Sequence, residues 1–260
     1  MKADRVLKIY YINLGRSPDK RAFMELQLRG TQIPFERVEA IDGSSIDLTR
    51  LNSFANASEV RKWGGDRSPG ALGCSLSHLE VYRKIQHDGI EVALVLEDDV
   101  TLLPDFASVV RRAASVVEDG NIYLVYFHSG LKRFCRAGSI DIGNGYSLYR
   151  AASDWGTYSS AGYLLTDRTA AALASYVYPI HTTADNWALY KKDGVIRDLW
   201  AVLPLPTTGS GFVSDIGYGG LHFFKRWLVR SSFSPVRWPL RMLLRRRAGA
   251  QRTYELVDKV

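Results

Sequence analysis

Val92-Ala-Leu-Val-Leu-Glu-Asp-Asp-Val100 is the stretch that decides the fold. Five apolar residues run without alternation into three acids, Glu97, Asp98 and Asp99. An apolar run with no polar face reads as a strand buried on both sides, as in a parallel sheet covered by helices. The acids then stand where the strand leaves the core. Adjacent carboxylates repel one another, so a cation is expected to compensate them. Oxygen ligands at a strand end suit Mg²⁺ or Mn²⁺ carrying a phosphate. Side chains alternate along a strand, which sends Glu97 and Asp99 one way and Asp98 the other. A solvated acidic turn is the competing reading.

The segments on either side repeat the alternation of strand and helix. Residues 6–14 read as a first strand, rich in β-branched and aromatic residues. Ser17-Pro18 caps a helix over 19–29, and 35–41 form a second, half-buried strand ending at the turn signal Asp42-Gly43. Residues 44–72 look loop-rich, a helix follows over 75–88, and another runs from Pro104 to about 118. Further strands are expected at 122–127 and 159–166, with a hairpin over 139–150 around Gly143-Asn144-Gly145. Helices follow to about 176 and over 182–192, and 202–206 is a last extended piece. Strand–helix–strand order predicts an α/β domain with a mostly parallel central sheet flanked by helices. Ligands in such sheets sit at the carboxyl ends of strands, near the reversal of strand order. Asn13, Asp42, the acids at 97–99 and His128 all follow strands in this reading.

The chain has 260 residues, 46% hydrophobic and 12% aromatic, enough for a sizeable core. No stretch reaches the length of a spanning helix, and the N-terminus lacks a secretory apolar region. Cys74 and Cys135 lack metal-ligand spacing and read as reduced thiols of a cytosolic protein. The net charge of +7 is unevenly spread. Residues 216–254 hold nine Lys and Arg and no acid, so the rest of the chain is slightly acidic. This divides the chain into a body, 1–215, and a basic amphipathic tail, 216–260. Within the tail, 221–230 and 236–247 mix bulky apolar groups with Arg, and Trp227 and Trp238 suit headgroup depth. That pattern fits an anionic bilayer face. A basic helix packed on the body is the alternative. Beyond charge, no nucleic-acid recognition motif is present.

Several segments together resemble glycosyltransferase family 25, the bacterial lipooligosaccharide-assembly transferases to which collagen galactosyltransferase domains are similar. The resemblance rests on Tyr11-Ile-Asn-Leu14 with Arg16 and Arg21, on Phe35 through Ala40-Ile-Asp-Gly43, and on Gly70-Ala-Leu-Gly-Cys-Ser-Leu-Ser-His78. Leu94-Val-Leu-Glu-Asp-Asp99, Ala161-Gly-Tyr-Leu-Leu165 and Asp185 complete it. The chain departs from the family pattern at Gly156-Thr157, set apart from Gly162-Tyr163, and at Thr183-Ala184-Asp185, where the family has Pro-Val-Asp.

The resemblance implies a GT-A-like, Rossmann-like fold and an inverting transfer of a hexose, typically galactose, from a UDP-sugar to a saccharide acceptor. That chemistry needs a cation for the departing diphosphate and a base for the acceptor hydroxyl. Glu97 and Asp99 are the expected ligands of Mn²⁺ or Mg²⁺. Asn13, Arg16, Arg21, Asp42, Ser77, His78 and Asp98 are the expected donor contacts. Arg suits bidentate phosphate binding, and Ser77 and His78 are expected just inside a helix N-terminus, which favours anions. Asp185 is the expected base, with Asp154 beside Trp155 its competitor. Cys74 reads as a buried small residue. A lipid-linked or lipopolysaccharide-core acceptor would explain the tail and put the protein on the cytoplasmic face of the inner membrane. An inactive saccharide-binding or membrane scaffold, and a metal-dependent phosphohydrolase, use the same residues and remain alternatives.

Overall fold

The computed structural model describes residues 5–62, 68–127, 132–152, 159–212 and 254–258. The chain opens with β1 (Leu7–Asn13), α1 (Pro18–Arg29) and β2 (Phe35–Glu39). Two 3-10 turns and α2 (Ala57–Arg61) lead to α3 (Ser68–His87) and β3 (Val92–Glu97). Then come β4 (Val100–Leu102), α4 (Phe106–Val116), β5 (Asn121–Leu124), and the hairpin of β6 (Lys132–Gly143) and β7 (Tyr146–Ala151). The series ends with β8 (Gly162–Thr166), α5 (Asp167–Val177), α6 (Trp187–Lys192), β9 (Asp198–Leu203), β10 (Thr207–Gly209) and β11 (Tyr254–Val257).

Nine strands form one sheet in the order β11-β6-β7-β9-β5-β8-β3-β1-β2. β2, β1 and β3 run parallel, and so do β5 and β9. β8 lies antiparallel between β3 and β5, which makes the sheet mixed. The central α/β sheet flanked by helices is the architecture expected from the sequence; the sequence predicts mostly parallel strands, and β6, β7 and β8 add the antiparallel pairings.

Residues Val92 to Leu96 are each 0% exposed, so β3 is covered on both faces. Ile9, Tyr11, Leu94 and Leu96 pack with Met24 and Leu28 of α1 and Val109, Val110 and Ala113 of α4. Tyr10, Ile12, Ala93 and Val95 pack on the other face with Leu72, Leu79, Tyr82 and Ile85 of α3 and Leu173 of α5. Each buried Val, Leu, Ile or Met among these contributes about 1.5–3 kcal/mol. Two-sided packing removes any need for alternation in the sequence, and the period of two continues past the core. Glu97 leaves β3 on the α3 side and Asp98 on the α1 side.

Several boundaries differ from the sequence reading. β3 stops at Glu97, and Asp98-Asp99 form a turn into β4, which pairs with β10 rather than with the main sheet. Gln27 of α1 fastens that turn, its side chain bonding both the Val100 carbonyl (3.2 Å) and the Leu102 amide (2.8 Å). The helix expected at 182–192 begins only at Trp187, because Asn186 caps it by accepting from the Leu189 amide. β9 begins at Asp198, ahead of the extended piece read at 202–206. Within the segment read as a tail over 216–260, Tyr254–Val257 return to the body and pair parallel with β6. Among the described residues no helix is long and apolar enough to cross a membrane.

The largest difference is α3. It begins at Ser68 rather than 75, so Gly70 and Gly73 are helical and do not form a turn. Their use is proximity. A Cβ on Gly73 would lie 2.5 Å from the Ile41 carbonyl oxygen and 2.7 Å from the Gly43 amide, and one on Gly43 would overlap the Pro69 carbonyl. Two glycines thus let α3 lie directly on the loop after β2. Ser77 secures the contact by accepting from the Ile41 amide (2.8 Å) while donating to the Gly73 carbonyl (2.7 Å). Gly73→Ala should therefore cost about 1–3 kcal/mol through overpacking against backbone. The urea midpoint should fall accordingly, and an unchanged midpoint would show that the loop yields freely.

Candidate active site

Three strand ends and two helices line a cavity of about 320 Å³. Ile12, Leu14, Arg16 and Lys20 line it from β1 and the start of α1, and Ala40 to Ser44 line it from the loop after β2. Glu97, Asp98 and Asp99 come from the exit of β3, and Pro69, Gly70, Cys74, Ser77 and His78 from α3. β1 has β2 on one side and β3 on the other, so the chain leaves it in opposite directions. The crevice at such a reversal, at the carboxyl ends of the strands, is where open α/β sheets bind ligands. The volume is at the lower end for a small-molecule pocket.

The three acids have separate environments. Asp98 is 8% exposed and accepts from the Asn13 amide at 2.7 Å, with the Lys20 ammonium at 3.3 Å. Burial pushes its carboxyl above the ordinary aspartate value, and Lys20 and Asn13 offset only part of that shift. Glu97, on the α3 side, accepts from the Ser160 hydroxyl at 2.9 Å and lies 3.6 Å from His78 Nε2. Asp99 is half-buried, and its carbonyl accepts from the Ser210 amide at 3.0 Å.

The structure redistributes the expected donor contacts. Asn13 is 1% exposed and is not part of the cavity lining. Its amide donates to Asp98 and to the Ser17 carbonyl, and its oxygen accepts from Arg37 Nε, so its polar atoms are engaged beneath the floor. Arg21 is turned away as well, paired with Glu25 at 2.8 Å along the exposed side of α1. Arg16 does reach the cavity, where it pairs with Asp42. Asp42 lines the cavity while its other oxygen accepts from the Ser44 amide and hydroxyl, so the turn role and the cavity position coexist.

Ser77 and His78 lie in the third turn of α3, not near its N-terminus, and the anion argument made for them fails. Ser77 is the fastener of the β2 loop. His78 is 1% exposed and bonds the Tyr163 hydroxyl through Nδ1 at 2.8 Å.

Asp185 sits half-buried in the turn before α6, outside the cavity lining. Its charge is still felt at Cys74, whose thiol is pushed up by burial and then by Glu97, Asp185 and Asp99. The late aspartate is thus at the same end of the molecule as the acidic turn. Asp154, Trp155 and Tyr158 lie outside the described residues, as do His128 and residues 213–253.

Three contributors escaped the sequence reading. Lys20 lies in the first turn of α1, three residues after the cap Ser17 that the sequence marks. Ser160 and Tyr163 belong to the small-residue entry into β8, which the sequence marks as a strand without indicating its neighbours.

The donor set suits a divalent cation. Glu97 and Asp99 offer carboxylate oxygens in one cavity, and an imidazole nitrogen without a hydrogen-bond partner faces the same place. With Arg16 and Lys20 also present, the arrangement can hold an anionic ligand against a metal ion.

Comparison with known proteins agrees with this geometry. The sequence profile of glycosyltransferase family 25 (LPS biosynthesis protein) matches residues 6–188. A glycosyltransferase 25 family member of Drosophila pseudoobscura pseudoobscura is 27% identical over 238 residues, covering 80% of this chain and 36% of the relative. Procollagen galactosyltransferase 2 of Mus musculus is 31% identical over 120 residues, 43% of this chain and 18% of the relative. A glycosyltransferase 25 family member of Aedes aegypti is 33% identical over 140 residues, 49% of this chain and 22% of the relative. The chain thus spans about a third or less of the length of these relatives. With more than half of its residues matched by the profile, and with the acidic strand end and the Gly70–His78 helix meeting at one cavity, the chain belongs to glycosyltransferase family 25.

Proposed function

We propose that this protein transfers a hexosyl group, galactose foremost, from a UDP-sugar to a saccharide hydroxyl, with inversion at the anomeric carbon. The observation that carries the reading is the cavity at the β3-β1-β2 reversal, with three carboxylates at one side and Arg16 and Lys20 beside them. The family assignment and the galactosyltransferases among the relatives supply the reaction class.

In this reading the diphosphate of the donor enters between the acidic turn and the start of α1. Glu97 and Asp99 would hold Mn²⁺ or Mg²⁺, which neutralises charge on the departing diphosphate. Arg16 meets the donor from the Asp42 side, and Lys20 adds positive charge beside Asp98. Asp98 itself acts from below, as the floor that fixes the turn. Ser77 acts through the Ile41–Gly43 loop rather than on the donor. As the acceptor oxygen bonds to the anomeric carbon, the bond from that carbon to the diphosphate oxygen breaks. Asp185 takes the acceptor proton, with Asp154 as the alternative base.

Titration calorimetry with UDP-galactose, UDP-glucose and UDP-N-acetyl sugars, each with Mn²⁺ and with EDTA, tests the donor. One sugar nucleotide should bind only with the metal, and Asp99→Asn should lower turnover by about 10²-fold or more. Metal-independent binding, or full activity in Asp99→Asn across a Mn²⁺ titration, would contradict the assignment. Absence of any donor binding in folded protein would favour the scaffold or phosphohydrolase readings.

The acceptor proposed is a lipid-linked or lipopolysaccharide-core saccharide, approached at the cytoplasmic face of the inner membrane through the nine positive charges of residues 216–254. Deleting 221–260 would also remove β11 from the sheet. Neutralising Arg245, Arg246 and Arg247 to Gln is the cleaner variant. It should reduce sedimentation with anionic vesicles while sparing turnover on a soluble acceptor, and equal sedimentation would remove the membrane role.

A further inference from the structure

We propose that Cys74, His78 and Glu97 form a three-ligand site for a thiophilic divalent transition ion of the Zn²⁺ class, whose open coordination position faces the cavity. Cys74 and His78 are four residues apart on α3 and so share one face of the helix. Glu97 reaches that face from the end of β3. Sγ of Cys74, a ring nitrogen of His78 and a carboxylate oxygen of Glu97 all lie within 4.8 Å of one another. His78 Nε2 and Glu97 Oε1 are 3.6 Å apart. Tetrahedral zinc holds such ligand atoms roughly 3.2–3.8 Å apart, so a small contraction closes the site.

The imidazole supplies an independent observation. His78 is 1% exposed, yet its Nε2 has no hydrogen-bond partner among the described residues. In the tautomer with its hydrogen on Nδ1, His78 donates to the Tyr163 oxygen (2.8 Å), whose own hydrogen goes to the Tyr82 oxygen (3.0 Å). Nε2 is then a bare lone pair aimed at Glu97 and Cys74. A buried polar atom without a partner is rare and asks for an explanation, and a metal ion bound between the three side chains would be that partner. The surroundings also match what metal ligands require. Tyr163 fixes the ring and its tautomer, and Ser160 orients the Glu97 carboxylate.

A donor set of one thiolate, one imidazole and one carboxylate selects Zn²⁺ or Co²⁺ over Mg²⁺ and Mn²⁺. All three residues line the cavity, which leaves the fourth position for water or an anionic oxygen. Glu97 is shared with the carboxylate pair proposed for the donor's metal, whereas Asp99 belongs to that pair alone. The inference does not rest on the transferase reading, because the ion is measured with no donor present.

The full-length, reduced protein, freed of metal by chelation, is titrated with Co²⁺ and its absorption recorded. One equivalent should produce a thiolate-to-cobalt charge-transfer band in the near ultraviolet. Zn²⁺ should bleach that band, and an excess of Mg²⁺ should not. The band should disappear in Cys74→Ser and persist in Cys135→Ser. Zn²⁺ affinity should fall at least about tenfold in His78→Gln and stay unchanged in Asp99→Asn. Circular dichroism confirms that each variant is folded, and Cys74→Ser keeps the side-chain size if His78→Gln fails to fold. A Co²⁺ spectrum without the band, a band surviving in Cys74→Ser, or an equal loss of Zn²⁺ affinity in Asp99→Asn would overturn the proposal.

Discussion

Asp98 is held between an amide from β1 and an ammonium from α1, at 8% exposure. A carboxylate in that position is costly unless it is paired and hydrogen-bonded, and removing one partner strands the other in a place without water. Asn13 and Lys20 are therefore tied to the exit of β3, and the ends of β1, β3 and α1 form one unit. Arg37 extends the same unit to β2 through Asn13 Oδ1. The floor of the cavity is this set of contacts, and it fixes where Glu97 and Asp99 stand above it.

The cavity's other wall depends on close approach rather than charge. Gly43 and Gly73 bring the loop after β2 onto α3 at distances no side chain would allow, and Ser77 holds the Ile41 amide in place. That contact sets the position of Asp42 and, through it, of Arg16. It also sets the rotation of α3, which decides that Cys74 and His78 look toward Glu97. The chemistry of the site and the packing of α3 are thus one constraint: a change that lifts the helix moves both the Asp42–Arg16 edge of the cavity and the proposed ion site.

The apolar run from Val92 to Leu96 revealed the central strand because burial on both faces removes alternation. The period of two carried beyond it and separated Glu97 from Asp98. Asp42 was placed near the cavity by its position after a strand, and Arg16 by the family resemblance. The start of α3 was not legible, because Gly70 and Gly73 look like turn residues when helix-to-loop proximity is unknown. Asn13 was drawn toward the donor by its place at the end of β1, and Arg21 by the family resemblance. Their partners Asp98, Arg37 and Glu25 are fixed by tertiary packing or by helix rotation. Cys74 read as unrelated to metal binding because its proposed co-ligands are one helical turn away and at the end of β3.

The claim on which the rest depends is that the nucleotide lies at the reversal between β2, β1 and β3. A crystal structure with UDP and Mn²⁺, with anomalous scattering recorded at the manganese edge, tests it directly. The account predicts a manganese peak against Glu97 and Asp99 with the diphosphate beside Arg16. A nucleotide bound elsewhere, or a diphosphate with no contact to the acidic turn, would contradict it.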